Sequence, residues 1–332
     1  MSGTPDNAVL SIEHLGVAMP AGADRPHALS DVSLSIASDE ILCVVGESGS
    51  GKSMMANAIM RLLPNDVTID AGRLMFEGRD LCALDVAEMR EVRGAGIAMI
   101  FQEPMTALNP LRTIGDQIAE MFSIHTELSK AEINTRVQAL LEDVRIPDPT
   151  AAAKAYPHEL SGGQRQRAMI AMALALDPKL LIADEPTTAL DVTIQAQIMD
   201  LLIELSGRTG TALLFITHNL GLVAETCARM LTMYAGQVVE DGPVDDILSR
   251  PLHPYTAGLL GSLPQPRQRK SKLPSIPGRV PSINEMPSGC RFSPRCTYVQ
   301  PPCLEPQVLS AQGARHVRCR RHAELTLPGA AT

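Results

Sequence analysis

The stretch that decides the fold reads Ile41-Leu42-Cys43-Val44-Val45-Gly46-Glu47-Ser48-Gly49-Ser50-Gly51-Lys52-Ser53. Ile41 to Val45 form an apolar, partly β-branched run whose length suits a strand buried on both faces. Gly46 to Ser53 spell GxxxxGKS, and a helical pattern from Lys52 to Leu63 follows, so strand, glycine loop and helix occur in the order a phosphate-binding loop requires. Glycines let the backbone curl until successive amides face phosphate oxygens, and the helix N-terminus adds a positive dipole end. Gly46, Ser48, Gly49 and Gly51 are therefore expected to cradle phosphates. Lys52 should reach the β- and γ-phosphates, and Ser53 should offer its hydroxyl to Mg²⁺. An ordinary glycine turn can match the same pattern, but the flanking strand and helix argue against it.

Upstream, Leu10, Ile12, Leu15 and Val17, then Val32, Leu34 and Ile36, alternate with polar residues around a turn-rich break, which predicts two antiparallel strands. Downstream, Ile114, Ile118 and Met121, and later Val137, Leu140, Leu141 and Val144, carry helical periodicity and read as a helical insertion at about 104–165. A helix from Gln164 to Leu176 then leads to the buried strand Leu180 to Ala183, and Leu213 to Ile216 forms another. Alternating strands and helices predict an α/β fold. Beyond Arg250 prolines, basic residues and cysteines accumulate, so a boundary is expected there, dividing the chain into 1–250 and 251–332.

At 332 residues the chain can bury a sizeable core without disulfides, and none is expected to be structural. Lys and Arg number 29 against 37 Asp and Glu, a net charge of -8 that disfavours a nucleic-acid partner. The apolar runs are far shorter than the roughly 20 residues that cross a bilayer, and the N-terminus has no secretory pattern, so a soluble or peripheral protein of the cytoplasm is expected. Cys43, Cys82 and Cys227 read as small core or surface residues.

The apolar strand Leu180 to Ala183 ends in Asp184 and Glu185, the edge where an open α/β sheet places ligand chemistry. Asp184 suits a ligand of Mg²⁺, and Glu185 could orient and polarise an attacking water. Upstream stand Leu160-Ser161-Gly162-Gly163-Gln164 at a helix start, a second candidate anion cap. LSGGQ is the signature of ABC ATPases, and the chain resembles that family. The resemblance implies a P-loop NTPase core of the ABC ATPase type, with an antiparallel β-subdomain, a helical subdomain and, here, a cysteine-containing C-terminal extension. It also implies a head-to-tail dimer in which ATP with Mg²⁺ lies between the phosphate loop of one subunit and Ser161, Gly162, Gly163 and Gln164 of the other. Gln102 matches the Q-loop glutamine that senses Mg²⁺ and the attacking water. His218 matches the switch histidine, and Ala189-Leu190-Asp191 matches the loop that contacts the opposite subunit. By spacing Met19 takes the place of the aromatic residue on which the family stacks adenine; a thioether packs on a ring with less contact. Asp39 stands where a glycine is common, in a turn that aspartate tolerates.

Within the family the chain is most similar to ATP-binding subunits of dipeptide, oligopeptide and nickel importers. VGESGSGKS ending at Ser53, FQEPMTALNP at 101–110, YPHELSGGQRQR at 156–167 and HPYT at 253–256 carry the likeness. That branch implies a related second ATPase subunit, two membrane permeases docking near Met105 to Asn109, an extracytoplasmic solute-binding protein and a site on the cytoplasmic face of the inner membrane. A soluble ABC ATPase acting outside transport is the alternative; such proteins carry a long coiled coil or tandem cassettes, which this chain does not. Cys290, Cys296, Cys303 and Cys319 lie in a proline- and arginine-rich segment with little to make a core, and thiolates there could hold Zn²⁺ or an iron–sulfur cluster, or stay unliganded. The resemblance of GCRFSPRC at 289–296 to the same importer branch implies a 4Fe-4S cluster.

Overall fold

The computed structural model describes residues 7–23, 26–102, 107–186, 192–262, 275–282 and 285–330. The chain opens with β1 (Ala8–Ala18) and β2 (His27–Ala37), antiparallel with Leu10 opposite Ile36, Ile12 opposite Leu34 and Leu15 opposite Val32. The register faces the alternating apolar residues inward together, as period-2 patterning demands. Then come β3 (Ile41–Val45) and α1 (Lys52–Ile59). The helix ends short of the expected Leu63 because Met60 caps it and Arg61 turns left-handed, with φ 49°. Arg93 holds that end, donating to the carbonyls of Met60 and Arg61 at 2.9 Å each.

The chain continues through β4 (Thr68–Phe76), β5 (Arg79–Asp80), α2 (Val86–Val92) and β6 (Ile97–Ile100). Three helices follow: α3 (Ile114–His125), α4 (Lys130–Asp143) and α5 (Pro149–Lys154). Each starts on a side-chain cap, from Thr113, Ser129 and Asp148 respectively. Next are α6 (Gly162–Leu174), β7 (Leu180–Asp184), α7 (Val192–Thr209), β8 (Ala212–Ile216) and α8 (Leu220–Thr226). The last elements are β9 (Arg229–Tyr234), β10 (Gln237–Pro243), α9 (Val244–Ser249), α10 (Pro254–Gly261), β11 (Ser310–Gln312) and β12 (Arg315–Val317).

Two sheets result. The smaller, entirely antiparallel, runs β2-β1-β4-β5; the larger runs β11-β12-β10-β9-β3-β8-β7-β6. β3 lies inside the larger sheet, parallel to β9 on one side and β8 on the other, which is why its sequence is apolar without alternation. One core packs the helices on this sheet, with Val45, Ile170, Phe215 and Val223 buried, and a second fills the space between the sheets with Leu10, Val44, Ile59 and Leu231. β11 and β12 extend the large sheet through β10, so the end of the chain is hydrogen-bonded to the same sheet as the phosphate loop.

One expectation is corrected. Cys43 of β3 and Cys227 at the end of α8 are joined by a disulfide, with Cα atoms 6.2 Å apart, although no structural disulfide was expected. Strand and helix end pack at a separation within the usual 4.4–6.8 Å range for such pairs, a proximity that their distance in sequence conceals. Cys82 is exposed and unpaired.

Candidate functional site

The glycine loop lies between β3 and α1. Gly51 takes φ 105°, and no side chain caps α1, so the first helical amides are left to face the loop. At Gly46 an added Cβ would stand 2.3 Å from the Met233 carbonyl oxygen, a clash only glycine avoids. Lys52 is buried, and its Nζ donates to the carbonyls of Gly46 at 2.8 Å and Glu47 at 3.1 Å. Burial lowers its pKa, opposed by the nearby carboxylates of Glu185, Asp184 and Glu47. A phosphate would replace the carbonyls as its partner and restore the full charge.

Asp184 ends β7 and is 5% exposed; burial raises its pKa, while a hydrogen bond from Ser53 works the other way. Its Oδ1 has no hydrogen-bond partner among the described residues. An orphaned buried carboxylate oxygen costs roughly 1–3 kcal/mol, and beside a serine hydroxyl it fits a hard divalent cation such as Mg²⁺. Glu185 follows in a left-handed backbone conformation, φ 46°, its amide donating to Ile216 O at 3.0 Å. That conformation costs a non-glycine residue about 1–2 kcal/mol. Gln102 Nε2 donates to Glu185 Oε2 at 3.0 Å, and His218 Nδ1 stands 3.3 Å from Glu185 Oε1. Three loops at the carboxyl ends of β6, β7 and β8 thus meet on one carboxylate.

Lys52, Gln102, Glu185 and His218 line one cavity of about 840 Å³, together with Gly46, Ser48, Gly49, Ser53 and Met19; Asp184 lies behind it, hydrogen-bonded to Ser53. Ser161 lies elsewhere, exposed at the start of α6, where its hydroxyl accepts from Gln164 N at 3.3 Å and Gln164 Oε1 accepts from Ser161 N at 2.9 Å. Gly162 and Gly163 open that helix. The structure therefore brings together Met19, Gln102, Glu185, His218 and the glycine loop, and leaves the serine-glycine cap on a separate surface. Asp191, with Ala189, Leu190, Met105 and Thr106, lies outside the described residues.

The four tail cysteines, Cys290, Cys296, Cys303 and Cys319, line one small cavity of about 20 Å³ beside Phe292 and His253. Burial, chiefly, pushes the thiols of Cys290 and Cys319 up to about 11 and raises Cys296; neighbouring thiols add to each shift. The donor set suits a soft metal centre. Among the described residues, however, no three His, Cys, Asp or Glu side chains are spaced to hold a metal ion, so the sulfurs converge without forming a closed coordination shell. Sequence patterns did not reveal the contacts behind the phosphate loop: Tyr255 Oη accepts from Glu47 N at 2.8 Å, and Arg295 is ion-paired with the Glu47 carboxylate. Tyr255 lies in HPYT and Arg295 in GCRFSPRC, stretches that marked a branch of the family rather than a site.

Residues 29–188 match the family model described as ABC transporter, and residues 239–303 match that of the oligopeptide/dipeptide transporter C-terminal region. A peptide ABC transporter ATP-binding protein of Sinorhizobium fredii is 52% identical over 302 residues, covering 90% of both chains. A peptide import ATP-binding protein of Brucella ovis is 48% identical over 331 residues, covering 96% of this chain and 98% of that protein. Among solved structures, a dimeric ATP-binding cassette in a post-hydrolysis state with ADP and Pi superposes with a TM-score of 0.64 at 28% identity, covering 71% of this chain and 98% of the other. A component of an ABC transporter complex from Clostridium perfringens gives 0.61 at 27% identity, covering 73% and 91%. With the glycine loop and the paired carboxylates following β3 and ending β7 of one sheet, and relatives of this identity along nearly its whole length, the chain belongs to the ABC transporter ATP-binding proteins.

Proposed function

We propose that this chain is the ATP-hydrolysing subunit of an importer for peptides or a related solute. The observation that supports it is the convergence of Lys52, Ser53, Glu185, Gln102 and His218 on one cavity at the glycine loop, with the buried Asp184 hydrogen-bonded to Ser53 behind it. In this reading the loop amides and Lys52 bind the β- and γ-phosphates, while Ser53, Asp184 and Gln102 hold Mg²⁺. When bound, Mg²⁺ screens the charge of the transferring phosphoryl group. Glu185 accepts the proton of the attacking water, with Gln102 and His218 fixing its two oxygens, and His218 then turns to the γ-phosphate. Met19 packs on the base.

Because Ser161, Gly162, Gly163 and Gln164 stand apart from the cavity, the signature completes the site of a second ABC ATPase subunit, with the Asp191 loop at that contact. Two permeases dock beside the helices after Gln102, an extracytoplasmic binding protein supplies the solute, and the chain sits peripherally on the cytoplasmic face of the inner membrane. No described helix is long and apolar enough to cross a membrane. Residues 1–250 form the motor and 251–332 the extension, whose four cysteines would hold a 4Fe-4S cluster or Zn²⁺ only after drawing closer than they stand here. A soluble ABC ATPase outside transport is the weaker reading, because the match to a transporter C-terminal region spans 239–303.

The test is phosphate release from MgATP by the purified chain with its partner ATPase. Lys52→Ala should abolish it without unfolding the protein; full turnover by that variant would overturn the assignment.

A further inference from the structure

Glu47 belongs to the phosphate loop and lines the cavity, and its carboxylate is near enough to act on the Lys52 ammonium. Its negative charge is met from behind by the tail. Arg295 Nη1 donates to Glu47 Oε2 at 2.6 Å and Nη2 to Oε1 at 3.0 Å, a two-pronged fork. The arginine is itself locked: Nε donates to Pro277 O at 2.8 Å, Nη2 also reaches Ile276 O at 3.3 Å, and the guanidinium lies 5.7 Å from the Tyr234 ring centre. Its side chain is 5% exposed, so this is not the solvated surface pair that contributes little. Charge-assisted forks of this kind fix geometry as well as charge.

The backbone is held as well. Glu47 N donates to Tyr255 Oη at 2.8 Å. Arg291 Nη1 donates to Ala235 O at 2.5 Å, and the next residue, Gly236, donates its N–H to Ser50 O at 2.8 Å. Both arginines belong to the turn between Cys290 and Cys296. The tail therefore grips the phosphate loop at Glu47 directly and at Ser50 through one intermediary.

We propose that Arg295 is a positioning residue for nucleotide binding: it neutralises the Glu47 carboxylate and holds it, so that the loop presents its amides to the phosphates without a competing anion. This rests on the reading that the loop binds ATP. Without Arg295 the carboxylate is an unpaired negative charge beside Lys52, and it competes with the phosphates for that ammonium.

The experiment uses the full chain, alone with a fluorescent ATP analogue for affinity and assembled with its partner ATPase for the KM and kcat of phosphate release. Arg295→Gln should weaken analogue binding and raise the KM for ATP about tenfold, with kcat at saturating ATP changed less than about twofold. Adding Glu47→Gln to that variant should restore most of the affinity, since the repelling charge is gone. Arg295→Lys keeps the charge without the fork and should fall between the two, and it carries the test if Arg295→Gln does not fold by circular dichroism. Unchanged affinity in Arg295→Gln, or a loss that Glu47→Gln does not relieve, would reduce Arg295 to a structural anchor and overturn the proposal. If the wild-type chain fails to bind the analogue, it is the nucleotide reading that falls.

Discussion

The side-chain amide of Gln102 donates to Oε2 of Glu185 at 3.0 Å, tying the loop after β6 to the end of β7. Gln102 precedes the helical segment and Glu185 lines the cavity, so movement of those helices would change the environment of that carboxylate. The left-handed backbone at Glu185 stores about 1–2 kcal/mol to hold it there.

Glu185→Gln keeps the size of the side chain but removes its capacity to accept a proton. ATP turnover should fall by at least about 100-fold while ATP affinity is retained. Rapid-quench turnover and equilibrium binding on the same protein would show this split, and normal turnover would refute the assignment.

The orphaned Asp184 Oδ1 predicts that Mg²⁺ adds to the stabilisation conferred by ATP. At a hundredfold excess over Kd a ligand stabilises by about 2.7 kcal/mol. Thermal melting with ATP should therefore shift upward again on replacing EDTA with Mg²⁺, and Asp184→Asn should lose this second shift alone. An equal magnesium effect in that variant would place the cation elsewhere.

Among the described residues Ser161 does not line the chain's own cavity, and its hydroxyl caps α6. Ser161→Glu should cut ATPase activity at least tenfold in the assembled pair while leaving ATP affinity of the isolated chain unchanged. Matching losses in both would mean that Ser161 serves its own subunit.

In metal-free, reduced protein the thiols of Cys290 and Cys319 titrate near 11 rather than 9.0, chiefly through burial. A raised folded-state pKa gives stability that is present below about pH 9 and lost as pH climbs through about 11. A bound metal centre already holds thiolates, so the loaded protein should not show this alkaline loss. Urea melts at pH 8 and pH 10.5, with iron and zinc content measured on the same samples, would check it. Identical pH dependence with and without metal would remove the cysteines as ligands.

Much of this was legible in the sequence because the decisive signals are local. The run Ile41 to Val45 is apolar throughout because β3 is flanked on both sides, and the glycine loop needs its residues consecutive. Pairings across long stretches of chain were not legible. Cys43 and Cys227 are brought together because β3 and β9 are neighbours in the sheet, and Glu47 and Arg295 because the tail packs against Tyr234 behind the loop; no period of two or 3.6 encodes either. The end of α1 departs from the helical pattern for a related reason: Arg61 continues the pattern in sequence, yet it leaves the helix where Arg93, distant in sequence, bonds the last carbonyls.

The most direct test is ATP-driven uptake of a labelled peptide into proteoliposomes that contain this chain with its permeases, partner ATPase and binding protein. Uptake should require MgATP and vanish with Glu185→Gln. Uptake that continues with that variant, or that proceeds without ATP, would contradict the account.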